Sequence, residues 1–207
     1  MKFSEVIGSE EQLRAIIAPP APRAVDKELA RLDGHCRAII SRSPFVLISS
    51  CDADGRLDVS PKGDPPGFVQ ILDEQTLAIP DRPGNRRADT FRNVLQNPRV
   101  GLLFLVPGRQ ETLRVNGRAA IVRDQGLRER MAVRGKVPEL ALVVSVEEAF
   151  VHCAKCVLRA RLWDREQWPE VADLPSHARC LLDQAKLAGT LEEVETSVQR
   201  NYREGLY

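Results

Sequence analysis

Phe45-Val46-Leu47-Ile48-Ser49-Ser50-Cys51, then Asp52-Ala53-Asp54-Gly55, then Arg56-Leu57-Asp58-Val59-Ser60, is the stretch that decides the fold class. The first run is largely apolar and short enough for a buried strand. The Asp-Gly step supplies turn chemistry. The residues after it alternate polar and apolar, as a half-exposed partner strand does. Two strands joined by so short a loop predict an antiparallel hairpin.

Working outward, strands are expected at residues 68–72 and 76–79, flanking a short acidic turn. Residues 85–96 read as a helix, with Asn85 as N-cap, Phe91, Val94 and Leu95 facing inward, and Asn97-Pro98 as the stop. Residues 100–106 form another buried strand, Pro107-Gly108 a turn, and 112–122 a long strand partner. Residues 123–137 read as a helix or long loop, 140–146 as a strand, and 149–158 as apolar enough to continue the sheet. Upstream, 10–17 reads as a helix broken by Pro19-Pro20 and Pro22. Helical spacing resumes over 24–41, with Leu29, Leu32, Cys36, Ile39 and Ile40 on one face. Amphipathic segments at 176–188 and 191–202 close the chain. Many short strands around a single helix predict a mainly β, α+β fold, an antiparallel barrel with helical additions. With no internal repeat or linker, a single domain over 1–207 is expected, with helices in 9–41 and 176–204 as extensions.

Composition narrows the function classes. The chain has 207 residues, 43% hydrophobic and 29% charged, which permits a packed core. Thirty basic and 29 acidic residues give a net charge of +1, so there is no general attraction to nucleic acid or to an anionic membrane. No apolar run reaches the length of a membrane span, and the first residues are too polar for a secretory signal. Five scattered cysteines argue against a disulfide framework and for a reducing cytoplasm.

Any anion site must therefore be local. Pro80-Asp81-Arg82-Pro83-Gly84-Asn85-Arg86-Arg87-Ala88-Asp89-Thr90 sets three arginines and a glycine where a helix begins. Helix N-terminal N–H groups and the helix dipole favour an anion, and arginines add bidentate, charge-assisted hydrogen bonds suited to phosphate. Lys62 could reach the same anion from the neighbouring strand. A solvated turn, with Asp81 and Asp89 neutralising two arginines, is the competing reading.

The order Ser60-Pro61-Lys62-Gly63, Arg82-x-x-Asn85-Arg86-Arg87, Asn97-Pro98-Arg99-Val100 and Leu113-Arg114-Val115-Asn116-Gly117-Arg118-Ala119 resembles pyridoxamine 5'-phosphate oxidase-like flavoproteins. It is most similar to a subfamily of probable FMN-dependent enzymes, which shares His152-Cys153-x-Lys155 and the Tyr202-Arg203-x-x-Leu206-Tyr207 ending. The resemblance implies a split β-barrel, FMN as cofactor and a homodimer in which each barrel contributes walls to both sites. It implies Arg86 and Arg87 as phosphate ligands, with Arg82, Lys62 and Asn85 nearby. Asp58, Val59 and Ser60 would line the flavin with backbone groups, and Thr112 and Arg114 would lie beside the ring. The oxidase's own substrate-binding pattern near the C-terminus is missing, which argues against pyridoxamine phosphate as substrate.

His152-Cys153-Ala154-Lys155-Cys156 carries a Cys-x-x-Cys step, but zinc lacks a fourth ligand and a thioredoxin-like context is absent, so no metal is expected. His152 and Lys155 are the candidates for the substrate pocket, against a reading as packing residues. Trp163 and Trp168 read as loop anchors or flavin-stacking residues. The leading expectation is an FMN-dependent oxidoreductase acting on a small molecule. The rivals are a non-catalytic flavin or haem carrier, with His152 as axial ligand, and a deazaflavin-dependent reductase.

Overall fold

The computed structural model describes residues 3–207. The hairpin that decides the fold class is present as strands β1 (Phe45–Cys51) and β2 (Leu57–Gly63), paired from Phe45 with Gly63 to Cys51 with Leu57. Asp52 ties the turn, its carboxylate accepting from the amides of Asp54 and Arg56 at 2.9 Å.

Five more strands complete one antiparallel sheet: β3 (Gln70–Ile71), β4 (Thr76–Pro80), β5 (Arg99–Leu105), β6 (Leu113–Val122) and β7 (Ala141–Val151). The order is β2-β1-β5-β6-β7-β4-β3, curled as a split barrel. Side chains alternate between faces, and Val46, Ile48, Val100, Leu102, Phe104, Leu113, Val115 and Val144 fill the inner face.

Helices α1 (Glu10–Ile16), α2 (Pro22–Val25) and α3 (Gly34–Arg42) precede the sheet, and α4 (Asp89–Gln96) joins β4 to β5. Helix α5 (Gln125–Arg130) lies between β6 and β7, and α6 (Lys155–Ala160), α7 (His177–Ala185) and α8 (Leu191–Glu204) follow. Cys36, Ile39 and Ile40 of α3 and Val94 of α4 pack into the main core. Leu127 and Met131 cover Ala78 and Ala141 from the other side. That second cover explains why β4 is buried on both faces. No described helix is long and apolar enough to cross a membrane.

Four expectations need correction. Residues 24–41 are not one helix: Leu29 exchanges backbone hydrogen bonds with Ala149 at 3.0 and 2.7 Å, and the Asp33 carboxylate then starts α3 by accepting from the Cys36 amide at 2.8 Å. A backbone donor on the sheet and a strong N-cap outcompete helix continuation. The helix expected from Asn85 begins at Asp89, because Arg86 and Ala88 take left-handed backbone angles. Its buried residues are Thr90 and Val94, whereas Leu95 is 78% exposed. The strand expected over 68–72 shrinks to Gln70–Ile71. The sheet does not run on to residue 158; β7 ends at Val151, and the chain turns into α6.

Candidate anion site and the facing cluster

Strand β2 sits at one edge of the sheet and pairs only with β1. Its other edge therefore presents backbone groups with no strand partner among the described residues. Asp58, Ser60 and Lys62 share the inner face, because their cross-strand partners on β1 are Ser50, Ile48 and Val46. Val59 points the opposite way. The Asp58 carboxylate accepts from Ser60 Oγ at 2.8 Å and from the buried Thr90 hydroxyl at 3.0 Å. It thus pins β2 to the first turn of α4.

Between β4 and α4 the chain makes a cationic loop. Arg82 donates through Nε to Asp64 at 2.6 Å and through Nη2 to the Met131 carbonyl at 2.9 Å. Asn85 accepts from the Arg87 amide at 3.0 Å, a local side-chain turn rather than the helix cap. Arg86 and Ala88 sit at φ 60° and 56°, a conformation that costs a non-glycine residue about 1 kcal/mol or more. Of the described helices with eight or more residues, α3, α7 and α8 are each capped by a side chain, and α4 alone is not. Its first amides are left to whatever occupies the space before them.

That space is a cavity of about 550 Å³ lined by Ser60, Lys62, Arg82, Asn85, Arg86 and Asp89, with Asn201 of α8 also lining it. Arg87 does not line it; its Nε donates at 2.7 Å to Asp89, which does, and the Arg87 side chain is largely exposed. Burial pushes the Asp81 carboxyl at the cavity wall up, against the pull of Lys62 and Arg82.

The remaining site candidates gather elsewhere. Arg114 pairs with Leu103, Leu103 with Leu47, and Leu47 with Pro61, so Arg114 lies on the outer face, opposite to Lys62. Its guanidinium donates to Glu148, which also accepts from Asn116 at 3.0 Å, and it stacks 4.2 Å over the Phe150 ring. Its Nε is buried without a hydrogen-bond partner among the described residues. Lys27 lies 4.8 Å from the same ring and donates to the Val151 carbonyl at 2.7 Å. The His152 ring packs at 4.8 Å against Phe150, and its amide donates to the carbonyl of the buried Thr112. Burial, then Arg114 and Lys27, hold the His152 imidazole below its ordinary pKa.

Lys155 and Cys156 stand exposed on α6, and Cys153 stands exposed just ahead of it. No group of three or more metal-ligating side chains occurs among the described residues. The indoles of Trp163 and Trp168 donate to the carbonyls of Arg109 and Leu162, as loop anchors do.

Glu148, Lys27, Asp64 and Asn201 were not singled out by sequence. Glu148 had a signal: Gly117 inside a strand pattern marks a bulge. The register steps from Asn116 opposite Glu148 to Gly117 opposite Val146, leaving Glu147 extra. The bulge turns Glu148 onto the face of Arg114 and Asn116.

A family model for pyridoxamine 5'-phosphate oxidase matches residues 32–153, from ahead of α3 to just past β7. The chain belongs to that family. The match takes in the whole sheet, the cationic loop and the Arg114–His152 cluster, and excludes α6, α7 and α8. No curated protein matches the chain. Among solved structures, HupZ of Group A Streptococcus is 19% identical, covering 57% of this chain and 92% of its own, with a TM-score of 0.47. An FMN-binding protein from Syntrophomonas wolfei is 12% identical over 56% and 88%, with a TM-score of 0.43. HutZ, the heme storage protein of Vibrio cholerae, is 16% identical over 58% and 94%, with a TM-score of 0.41.

Proposed function

We propose that this member of the family binds FMN with its phosphate before the N-terminus of α4 and acts as an FMN-dependent oxidoreductase. The observation that carries the reading is the uncapped start of α4, which opens into the cavity that Arg86 and Lys62 line. The donor set fits a phosphate: free helix amides, a guanidinium, an ammonium, and Arg82, whose Nη1 has no hydrogen-bond partner among the described residues. Bound FMN would supply the electron or hydride chemistry, with the protein contributing orientation and electrostatics.

The chain's own residues have separable tasks in this reading. Asp58 holds β2 against α4, so Lys62 and the helix amides keep a fixed spacing. The open edge of β2 offers N–H and C=O groups to the polar edge of a flavin ring. Arg114 and His152 lie on the outer face, where Leu57 and Val59 are 77% and 59% exposed. An apolar strip on an open edge strand suits a second copy of the chain. We infer a homodimer in which the Arg114–His152 cluster faces the partner's cofactor, Arg114 offering positive charge and His152 a neutral imidazole.

The first experiment is a visible spectrum of the purified protein, with and without added FMN, for wild type and Arg86→Ala. A flavin spectrum that weakens in the variant supports the reading. A wild-type protein that takes up no FMN overturns it, and titration with deazaflavin and haem then separates the rivals.

A further inference from the structure

Tyr207 is tied down at several points, all beside the cationic loop. Its hydroxyl donates to Asp64 Oδ1 at 2.6 Å, and its backbone oxygen accepts from Lys136 Nζ at 2.5 Å. The Arg134 and Arg82 guanidiniums lie 5.2 and 5.8 Å from its ring centre. Asp64 is the junction. Its side chain is 1% exposed, and a buried carboxylate must be paired through both oxygens. Arg82 Nε takes Oδ2 and the Tyr207 hydroxyl takes Oδ1. The Met131 carbonyl holds a second point of the guanidinium, so these two contacts fix where Nη1 sits. The same segment contributes Asn201 and Gly205 to the cavity lining.

We propose that Tyr207 and Asp64 are positioning residues for the phosphate end of the cofactor site: Tyr207 fixes Asp64, Asp64 fixes Arg82, and the end of α8 is thereby held as a closing wall over the anion. This rests on the phosphate reading above. It assigns a role to α8, which the family match does not reach. Because the chain of contacts ends at Arg82, it acts on the phosphate and not on the ring. Its loss weakens FMN while leaving riboflavin, the same ring without phosphate, unaffected.

The test compares FMN and riboflavin affinities, by flavin fluorescence quenching, for wild type, Tyr207→Phe and Arg86→Ala. Hydrogen exchange over residues 191–207 is followed in the same proteins. Tyr207→Phe keeps the ring and removes one hydroxyl, so the fold is retained, and thermal unfolding of the cofactor-free protein checks this. The expected result is a three- to tenfold loss of FMN affinity, unchanged riboflavin affinity and faster exchange at the end of α8. An unchanged FMN-to-riboflavin ratio in Tyr207→Phe, with Arg86→Ala impaired, overturns the positioning role alone. Unimpaired FMN binding in Arg86→Ala overturns the phosphate reading and the positioning role with it.

Discussion

Arg86 lines the cavity before α4, whereas its neighbour Arg87 does not and instead donates at 2.7 Å to Asp89, a carboxylate on the cavity wall. The two arginines are therefore unequal. A charge-assisted hydrogen bond contributes about 1.5–3 kcal/mol, and each 1.4 kcal/mol is tenfold in affinity. Arg86→Ala is expected to weaken FMN roughly 10- to 100-fold. Arg87→Ala removes one ion pair whose arginine is 70% exposed and is expected to change affinity less than about threefold. Titration of both variants decides between this and an equal partnership.

His152 gives a pH dependence with a defined sign. Burial, Arg114 and Lys27 disfavour its imidazolium, so the folded state binds fewer protons than the unfolded state just below the ordinary histidine pKa of about 6.5. Stability from this group is complete above that value and is lost as pH falls through it. His152→Gln should flatten the fall in thermal midpoint between roughly pH 7 and pH 5. By proton NMR, His152 should titrate below its ordinary value, and Lys27→Gln should move its midpoint up. A His152 midpoint at or above the ordinary value would remove the electrostatic account of this cluster.

The limits of sequence reading follow from which contacts are local. Phe45–Cys51 and the Asp-Gly turn were legible because period, apolarity and turn chemistry all lie within one hairpin. The cationic loop was legible as composition, but not that Arg86 lines the cavity while Arg87 pairs with Asp89. The helix start was misplaced at Asn85 because an Asx turn and an N-cap use the same side chain in the same way. His152 was expected on a strand; its position past the end of β7 follows from the pairing limit set by Leu113 opposite Val151. Arg114 and Lys62 were both expected around one cofactor, yet cross-strand register places them on opposite faces of the sheet. The Asp64–Tyr207 bond joins residues 143 apart, and no local pattern announces it.

Gly117 tests the bulge directly. A β-carbon there would meet the Ser145 carbonyl oxygen at 2.1 Å, a backbone clash that no rotamer change relieves. Gly117→Ala should cost on the order of 3 kcal/mol. For a chain of this size that is roughly a 10 °C drop in melting temperature. If the sheet instead relaxed by losing the bulge, Glu148 would leave Arg114, and the His152 midpoint would move as well. A melting temperature within a degree of wild type would mean that the bulge is not rigid.

The five free cysteines should separate by environment. Burial pushes the Cys36 thiol up to about 11, whereas Cys153 stands exposed just ahead of α6 and Cys156 exposed on it. Alkylation depends on thiolate and access. Brief iodoacetamide treatment of the native protein at pH 8, read by peptide mass spectrometry, should label Cys153 and Cys156 and spare Cys36. Labelling of Cys36 at a comparable rate would show that α3 opens readily from the core.

The inferred dimer makes its own demand on Val59. It lies on the outer face of an edge strand, 59% exposed, with Leu57 on the same face two residues away. An isolated hydrophobic residue there needs no explanation, but two on an unpaired edge form a surface that another copy can bury. A charge at Val59 would be nearly neutral to a monomer, since the site is open to water, and costly in an apolar contact. Val59→Glu should therefore shift sedimentation equilibrium from dimer to monomer while leaving circular dichroism unchanged. FMN affinity should fall with it, because each site would lose the wall its partner supplies. A wild-type protein that sediments as a monomer with FMN bound would instead place the whole cofactor site within one chain.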